Sequence, residues 1–239
     1  MQRIFLLSHM RANTSLIGHI LGSHAQISGY YELHRSYHSR QDLIKQQQLF
    51  ADRGDIKPDS KYLFDKLLHN KYPLSLENLQ RETIRVLLAL RTAEQSIKSI
   101  VNLFSEKEQP HPYAEPVHAV CYYRERLEKL ADFAQKYSSG FYYFDAELVR
   151  SEPQRLLPRL QQWLSLDSPL SEQYQIFSRT GQSRAGDSSA NMQAGRIIKE
   201  RTHYQNIDIP VSLLKPAQQD YQQCRQLILS NAMDSATLD

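Results

Sequence analysis

The segment Ser8-His-Met-Arg-Ala-Asn-Thr-Ser15 joins an apolar run, Ile4–Leu7, to a helical pattern that starts at Thr14. The first N–H groups of a helix have no partner inside it and sit at the positive end of its dipole, so such a corner suits an anion. Arg11 would add a charge there, and Thr14 and Ser15 would add hydroxyl donors. An ordinary N-cap at Asn13 or Thr14, with Arg11 in solvent, accounts for the same residues. Two other cations close apolar runs. Lys66 ends Tyr62-Leu-Phe-Asp-Lys66, and Arg91 ends Leu87-Leu-Ala-Leu-Arg91, with Ser99 eight residues further on, a little over two helical turns. Glu32 and His34 follow another apolar run in Ile27-Ser-Gly-Tyr-Tyr-Glu-Leu-His34, and either side chain is a candidate proton acceptor. A salt bridge from Glu32 to Arg11 or Arg35 is the structural alternative. His34 and His38 are four apart, as two metal ligands on one helical face would be, yet no third ligand has a motif, and no metal site is expected.

Groups so far apart in sequence need a scaffold that gathers them. Five short apolar runs read as buried strands: Ile4–Leu7, Ala25–Ser28, Tyr62–Phe64, Val86–Leu90 and Phe141–Phe144. Helical patterns lie between and after them, over Thr14–Gly22, Leu74–Arg81, Ala93–Phe104, Val120–Lys136 and Pro153–Leu166. This alternation predicts a single α/β domain over residues 1–231, with a central, mainly parallel sheet of about five strands flanked by helices. In such a sheet, ligands gather at the carboxyl ends of the strands. Residues 37–60 and 178–195 read as polar loop or insert regions, and 232–239 as a frayed tail.

Composition narrows the chemistry. The chain has 239 residues, 41% hydrophobic and 23% charged, with a net charge of +3, and its Lys and Arg are scattered rather than arranged as a nucleic-acid stripe. Only 8 residues are Gly, and neither G-x-G-x-x-G nor G-x-x-x-x-G-K-[ST] occurs, which disfavours loops that wrap a dinucleotide or a polyphosphate. The opening apolar run is too short for a signal peptide, so a cytoplasmic location without a membrane span is expected. Cys121 and Cys224 lack metal spacing and read as reduced core thiols.

The corner at residues 11–15 resembles the 5′-phosphosulfate loop of the sulfotransferase family, in which a Lys or Arg is followed by Ser or Thr, Gly and two hydroxyl residues. Arg11, Thr14 and Ser15 match that pattern, while Ala12 and Asn13 depart from it. Asn tolerates the left-handed backbone better than other non-glycine residues, so the departure need not abolish the loop's shape. Arg91 and Ser99 are similar to the family's strand-end Arg and helix Ser that bind the donor's 3′-phosphate. Tyr62–Lys66 resembles its strand ending in Asp-Lys. Phe144-Asp-Ala-Glu-Leu-Val-Arg-Ser-Glu-Pro153 and Trp163-Leu-Ser-Leu166 resemble its fifth strand and long helix. Thr180–Ser189, with Arg184 and Gly186, resembles the late loop that closes over the nucleotide.

The resemblance therefore implies a P-loop NTPase-like sulfotransferase fold. It implies 3′-phosphoadenosine 5′-phosphosulfate (PAPS) as donor and adenosine 3′,5′-bisphosphate (PAP) as product, with no metal required. Arg11, Ala12, Asn13, Thr14, Ser15, Arg91, Ser99, Arg184 and Gly186 would bind the nucleotide. Arg11 and Lys66 would stabilise charge on the sulfuryl group. Glu32 would be the base, with His34 as runner-up. The acceptor would be a hydroxyl, less readily an amine, of a small molecule, carbohydrate or lipid. Two alternatives stay open: a non-catalytic nucleotide-binding member of the same fold, and a P-loop kinase-like phosphotransferase.

Overall fold

In the computed structural model, residues 1–75, 77, 79, 83–137, 140–182, 190–199, 204 and 206–238 are described. Their centre is a six-stranded sheet of β1 (Gln2–Leu7), β2 (Ile27–Ser28), β3 (Tyr62–Leu67), β4 (Ile84–Leu90), β5 (Tyr142–Asp145) and β6 (Asp234–Ala236). The order is β2-β3-β1-β4-β5-β6, and every pairing is parallel. Parallel strands need crossovers on the faces of the sheet, which explains why the strands lack clean apolar–polar alternation. Successive residues instead feed different cores. Ile4 and Leu6 of β1 pack in one cluster with α1 (Thr14–Ser23) and α6 (Pro153–Leu164). Phe5 and Leu7 pack in the other with α3 (Ala93–Ser105), α4 (Pro116–Lys136) and α7 (Val211–Asn231).

Two glycines on α1 permit a close contact. A Cβ at Gly18 would lie 2.6 Å from the Tyr30 carbonyl oxygen, and one at Gly22 would lie 2.7 Å from that of Gly29. The chain leaving β2 is thereby laid directly against α1.

The expected frayed tail is instead β6. Met233 N–H donates to the Phe141 carbonyl (3.0 Å), and the Leu238 N–H donates to Asp145 (2.8 Å). Asp145 is also held by Arg225 in two hydrogen bonds, of 2.8 and 2.7 Å. A three-residue strand of Asp, Ser and Ala carries no apolar signal, so long-range pairing alone reveals it. The expected polar region at 37–60 carries α2 (Arg40–Asp52). A capping box of Ser39 and Asp42 starts this helix, and its narrow buried face of Leu43, Gln46 and Phe50 is the reason its composition reads as loop. Buried Arg3 of β1 docks it through Gln46 Oε1 (3.1 Å) and the Leu43 carbonyl (3.1 Å). Strand boundaries also move: β2 is shorter than Ala25–Ser28, and β5 is shifted by one residue to include Asp145. Of the helix expected over 74–81, Leu74 forms a bridge with Tyr37, while 76, 78, 80 and 81 lie outside the described residues. Both cysteines are free, Cys224 buried and Cys121 exposed.

Candidate active site

Strands β3, β1 and β4 are neighbours and end at Leu67, Leu7 and Leu90, so Lys66, the loop 8–15 and Arg91 meet at the carboxyl ends of three inner strands. The loop turns through two left-handed residues, Arg11 (φ 64°) and Asn13 (φ 54°). Asn13 does not cap α1 with its side chain. Its Nδ2 donates to the Ala146 carbonyl (2.8 Å), and its Oδ1 accepts from Arg150 Nε (3.1 Å). These bonds hold a non-glycine residue in a conformation that ordinarily favours glycine. Ala12 is fully buried beside them, and Thr14 and Ser15 open α1.

The cations are tied to this corner. Arg11 Nε donates to Ser99 Oγ (2.9 Å), and Ser99 Oγ also lies 2.8 Å from the Tyr204 hydroxyl. Arg91 Nη1 donates to the Arg11 carbonyl (2.9 Å), while the Arg91 Nε is buried without a hydrogen-bond partner. Burial lowers the Arg91 guanidinium pKa, with Glu147 opposing. Buried Lys66 donates from Nζ to Ser15 Oγ (3.1 Å). Thus Arg11, Ser15, Lys66, Arg91 and Ser99 are brought together around the N-terminus of α1. Arg184 and Gly186 lie outside the described residues.

His9 locks the loop to β4. Its Nε2 accepts the Arg91 N–H (3.1 Å), so its Nδ1 must carry the proton given to the Met10 carbonyl (2.9 Å). Burial pushes its pKa down to about 3, and Arg91 and Arg126 push the same way.

Glu32 is on the other side of β3. It is buried, and its ion-pair partner among the described residues is His34, with Nδ1 3.5 Å from Oε1, rather than Arg11 or Arg35. Glu32 Oε1 and His34 Nε2 are both buried without a hydrogen-bond partner. His34 has a left-handed φ of 54° and lies outside any helix, as does His38, so the two do not share a helical face. Rings surround this point: His34 stands 5.6 Å from Tyr72 and 6.4 Å from His69, and His69 stands 5.7 Å from Tyr122. Burial lowers the His69 pKa, while Glu32 raises it.

Several members of the site escape sequence reasoning. Asp65 is fully buried; its Oδ1 accepts the Leu33 N–H (2.9 Å) and the Lys66 N–H (2.8 Å), and its Oδ2 accepts the Tyr37 hydroxyl (2.6 Å). Burial pushes this carboxyl up to about 7 against those hydrogen bonds, and the Glu32 charge adds to the rise. On α4, Tyr122 takes the Met10 N–H (2.8 Å) and donates to the Leu68 carbonyl (2.8 Å), and Tyr123 donates to the Arg91 carbonyl (2.7 Å). Arg126, also buried, donates to the carbonyls of Ser8 (2.8 Å) and Leu67 (2.6 Å). These three side chains staple the ends of β1, β3 and β4. Their Tyr-Tyr-x-x-Arg spacing is a usable signal, since it sets three polar heads within about one turn on the buried face of an amphipathic helix. Arg150 had a weaker one, lying four residues beyond the sequence Asp-Ala of a strand end.

No family profile and no curated protein sequence matches this chain. Similar solved structures include the sulfotransferase domain from the curacin biosynthetic pathway, at 17% identity over 94% of this chain and 97% of that one, with a TM-score of 0.64. They also include retinol dehydratase in a complex with retinol and PAP, at 8% identity over 100% of this chain and 84% of that one, with a TM-score of 0.40. No helix among the described residues is long and apolar enough to cross a membrane. At 17% identity the first likeness is one of fold, and on it the chain has the architecture of a sulfotransferase domain: one α/β unit built on a parallel central sheet.

Proposed function

We propose that the protein transfers a sulfuryl group from PAPS to a hydroxyl of a small-molecule, carbohydrate or lipid acceptor. One observation carries the reading. Arg11, which the resemblance assigns to the donor's 5′-phosphosulfate, and Arg91 and Ser99, which it assigns to the 3′-phosphate, form a single hydrogen-bonded cluster at the N-terminus of α1. Arg11 and the first-turn N–H groups of α1 receive the 5′-phosphosulfate. Arg91 and Ser99 hold the 3′-phosphate, with Arg150 close enough to add charge. In the in-line transition state, charge spreads over the sulfuryl oxygens and the bridging oxygen, where Lys66 and Arg11 stabilise it. Glu32 takes the acceptor's proton, its unsatisfied Oε1 being the atom ready to accept it.

Titration with PAP tests the donor site: binding to the folded state raises the melting temperature. Binding of ATP with magnesium, and indifference to PAP, would overturn the proposal in favour of a phosphotransferase. The replaced loop residues Ala12 and Asn13 favour a second reading, a member of the fold that binds nucleotide without transferring sulfate. In that case PAP stabilises the protein, but labelled donor yields no sulfated product with any acceptor in extracts of the source cells.

A further inference from the structure

Position 65 is an unusual place for a carboxylate. It faces the same way as Leu63 and Leu67 on β3, in register with Phe5 of β1, and all four residues are at most 1% exposed. Burying a charge there is costly unless its hydrogen bonds are made. Among the described residues the partners of Asp65 are three donors and no cation: Leu33 N–H, Lys66 N–H and Tyr37 O–H.

Those donors have a pattern. One oxygen, Oδ1, takes the N–H of Lys66 and the N–H of the residue that follows Glu32. The other oxygen takes Tyr37, whose own backbone is fixed to Pro73 (2.9 Å) and Ser75 (2.8 Å). Asp65 therefore grips both ends of the segment 33–37, which has no helix or strand of its own and contains the left-handed His34. A strained residue persists where the structure on either side over-determines it. On the far side of β3, the Lys66 side chain reaches Ser15 of the nucleotide corner.

We propose that Asp65 is the positioning residue of the site: through one carboxylate oxygen it fixes the backbone carrying the base relative to the backbone carrying the sulfuryl-stabilising lysine. This rests on the sulfotransferase reading for its consequence, though not for the anchor itself. Asp65 touches neither donor nor acceptor. Its loss leaves Arg11, Ser99 and Arg91 in place, and misplaces Glu32.

The test joins hydrogen exchange to steady-state transfer, with PAPS as the sulfuryl donor, PAP as the probe of nucleotide affinity, and phenol, which keeps its proton at neutral pH, as the probe acceptor. In Asp65→Ala, protection of the Leu33 amide falls by at least about tenfold. Turnover falls about a hundredfold, as displacements near an ångström produce, while PAP affinity stays within about twofold. Asp65→Asn keeps an acceptor oxygen for both amides, and its amide nitrogen can donate to Tyr37. It restores protection and returns turnover to within about threefold of the parent. If Asp65→Ala does not fold, Asp65→Leu fills the space and gives the same readouts. An unchanged Leu33 amide in either apolar variant overturns the proposal. So does loss of PAP affinity in proportion to turnover, or an Asp65→Asn protein that keeps both amides protected yet is as slow as Asp65→Ala. Glu32→Gln separates the two ideas: full turnover in that variant refutes the base, and loss of Leu33 protection in Asp65→Ala then still supports the anchor.

Discussion

The loop 8–15 and the segment 30–37 flank the same strand ends yet are finished differently. Around the loop most polar groups are matched: Asn13 by Ala146 and Arg150, His9 by Arg91 and Met10, Ser99 by Arg11 and Tyr204, while Arg91 Nε and the Oε2 of neighbouring Glu147 are buried without a hydrogen bond among the described residues. In the second segment, Glu32 Oε1 has the 3.5 Å ion pair with His34 Nδ1 but no hydrogen bond among the described residues, and neither has buried His34 Nε2, amid the rings of His69, Tyr72 and Tyr122. Unmatched buried polar atoms cost stability. On the proposed function, the matched region would be a prebuilt cradle for the donor and the unmatched one would keep atoms available for proton exchange.

Substitutions that strike one side only test this division. The largest effect is expected for Glu32→Gln, which removes the proton acceptor and lowers turnover by about 10²–10⁴-fold. The melting-temperature rise given by PAP should remain, and its disappearance would mean the two sides are not separable. Arg91→Ala is the converse. Losing a buried charge-assisted contact to phosphate weakens PAP binding by about 10- to 100-fold in calorimetry. If affinity is unchanged, the 3′-phosphate lies elsewhere.

The two sides also differ in acid. His9 is lowered from 6.5 to about 3, so between those values the folded state binds fewer protons than the unfolded chain. The stability it contributes is whole above 6.5 and is lost as pH falls. Asp65 is raised from 3.8 to about 7, so the folded state binds more protons there, and its contribution falls as pH rises through that window. The opposed slopes mask each other in the parent protein. Melting curves should separate them, since His9→Asn flattens the acid loss and Asp65→Asn flattens the fall towards neutrality. Parallel profiles for both variants would refute the contrast.

The smallest effect is expected at Asn13. Glycine there relieves the left-handed backbone but loses two hydrogen bonds, a net change of about 1 kcal/mol, whereas alanine loses both and keeps the strain, costing about 2 kcal/mol. Denaturant titration of the pair measures how far the clamp, rather than the backbone, shapes the loop.

The sequence made the strand–loop–helix corner legible because apolar run, turn and helical period follow one another without interruption. Arg91 and Ser99 come from the family resemblance, with which their spacing of a little over two helical turns agrees. The pairing of Glu32 with His34, rather than with Arg11 or Arg35, is not legible in the sequence, since it depends on a left-handed residue in an irregular segment. Asp65 was read only as a companion to Lys66. A strand buried on both faces gives no alternation to reveal that the two side chains part company. Tyr122, Tyr123 and Arg126 were absorbed into an amphipathic pattern, because their work is done by polar tips on long apolar stems. β6 depends wholly on contacts with residues some ninety positions earlier, such as Tyr142 and Asp145.

Glycine, scarce in this chain, is absent from the phosphate corner and concentrated where α1 meets the chain leaving β2. A methyl group at Gly18 would meet the Tyr30 carbonyl at 2.6 Å, two residues before Glu32. An alanine on this helix flank would thus displace the chain that carries Glu32. Side-chain clamps brace the left-handed backbone of the loop 8–15, whereas the contact at Gly18 has no such support. The fold is therefore sensitive to a single added methyl group at a position that an inventory of reactive residues would pass over.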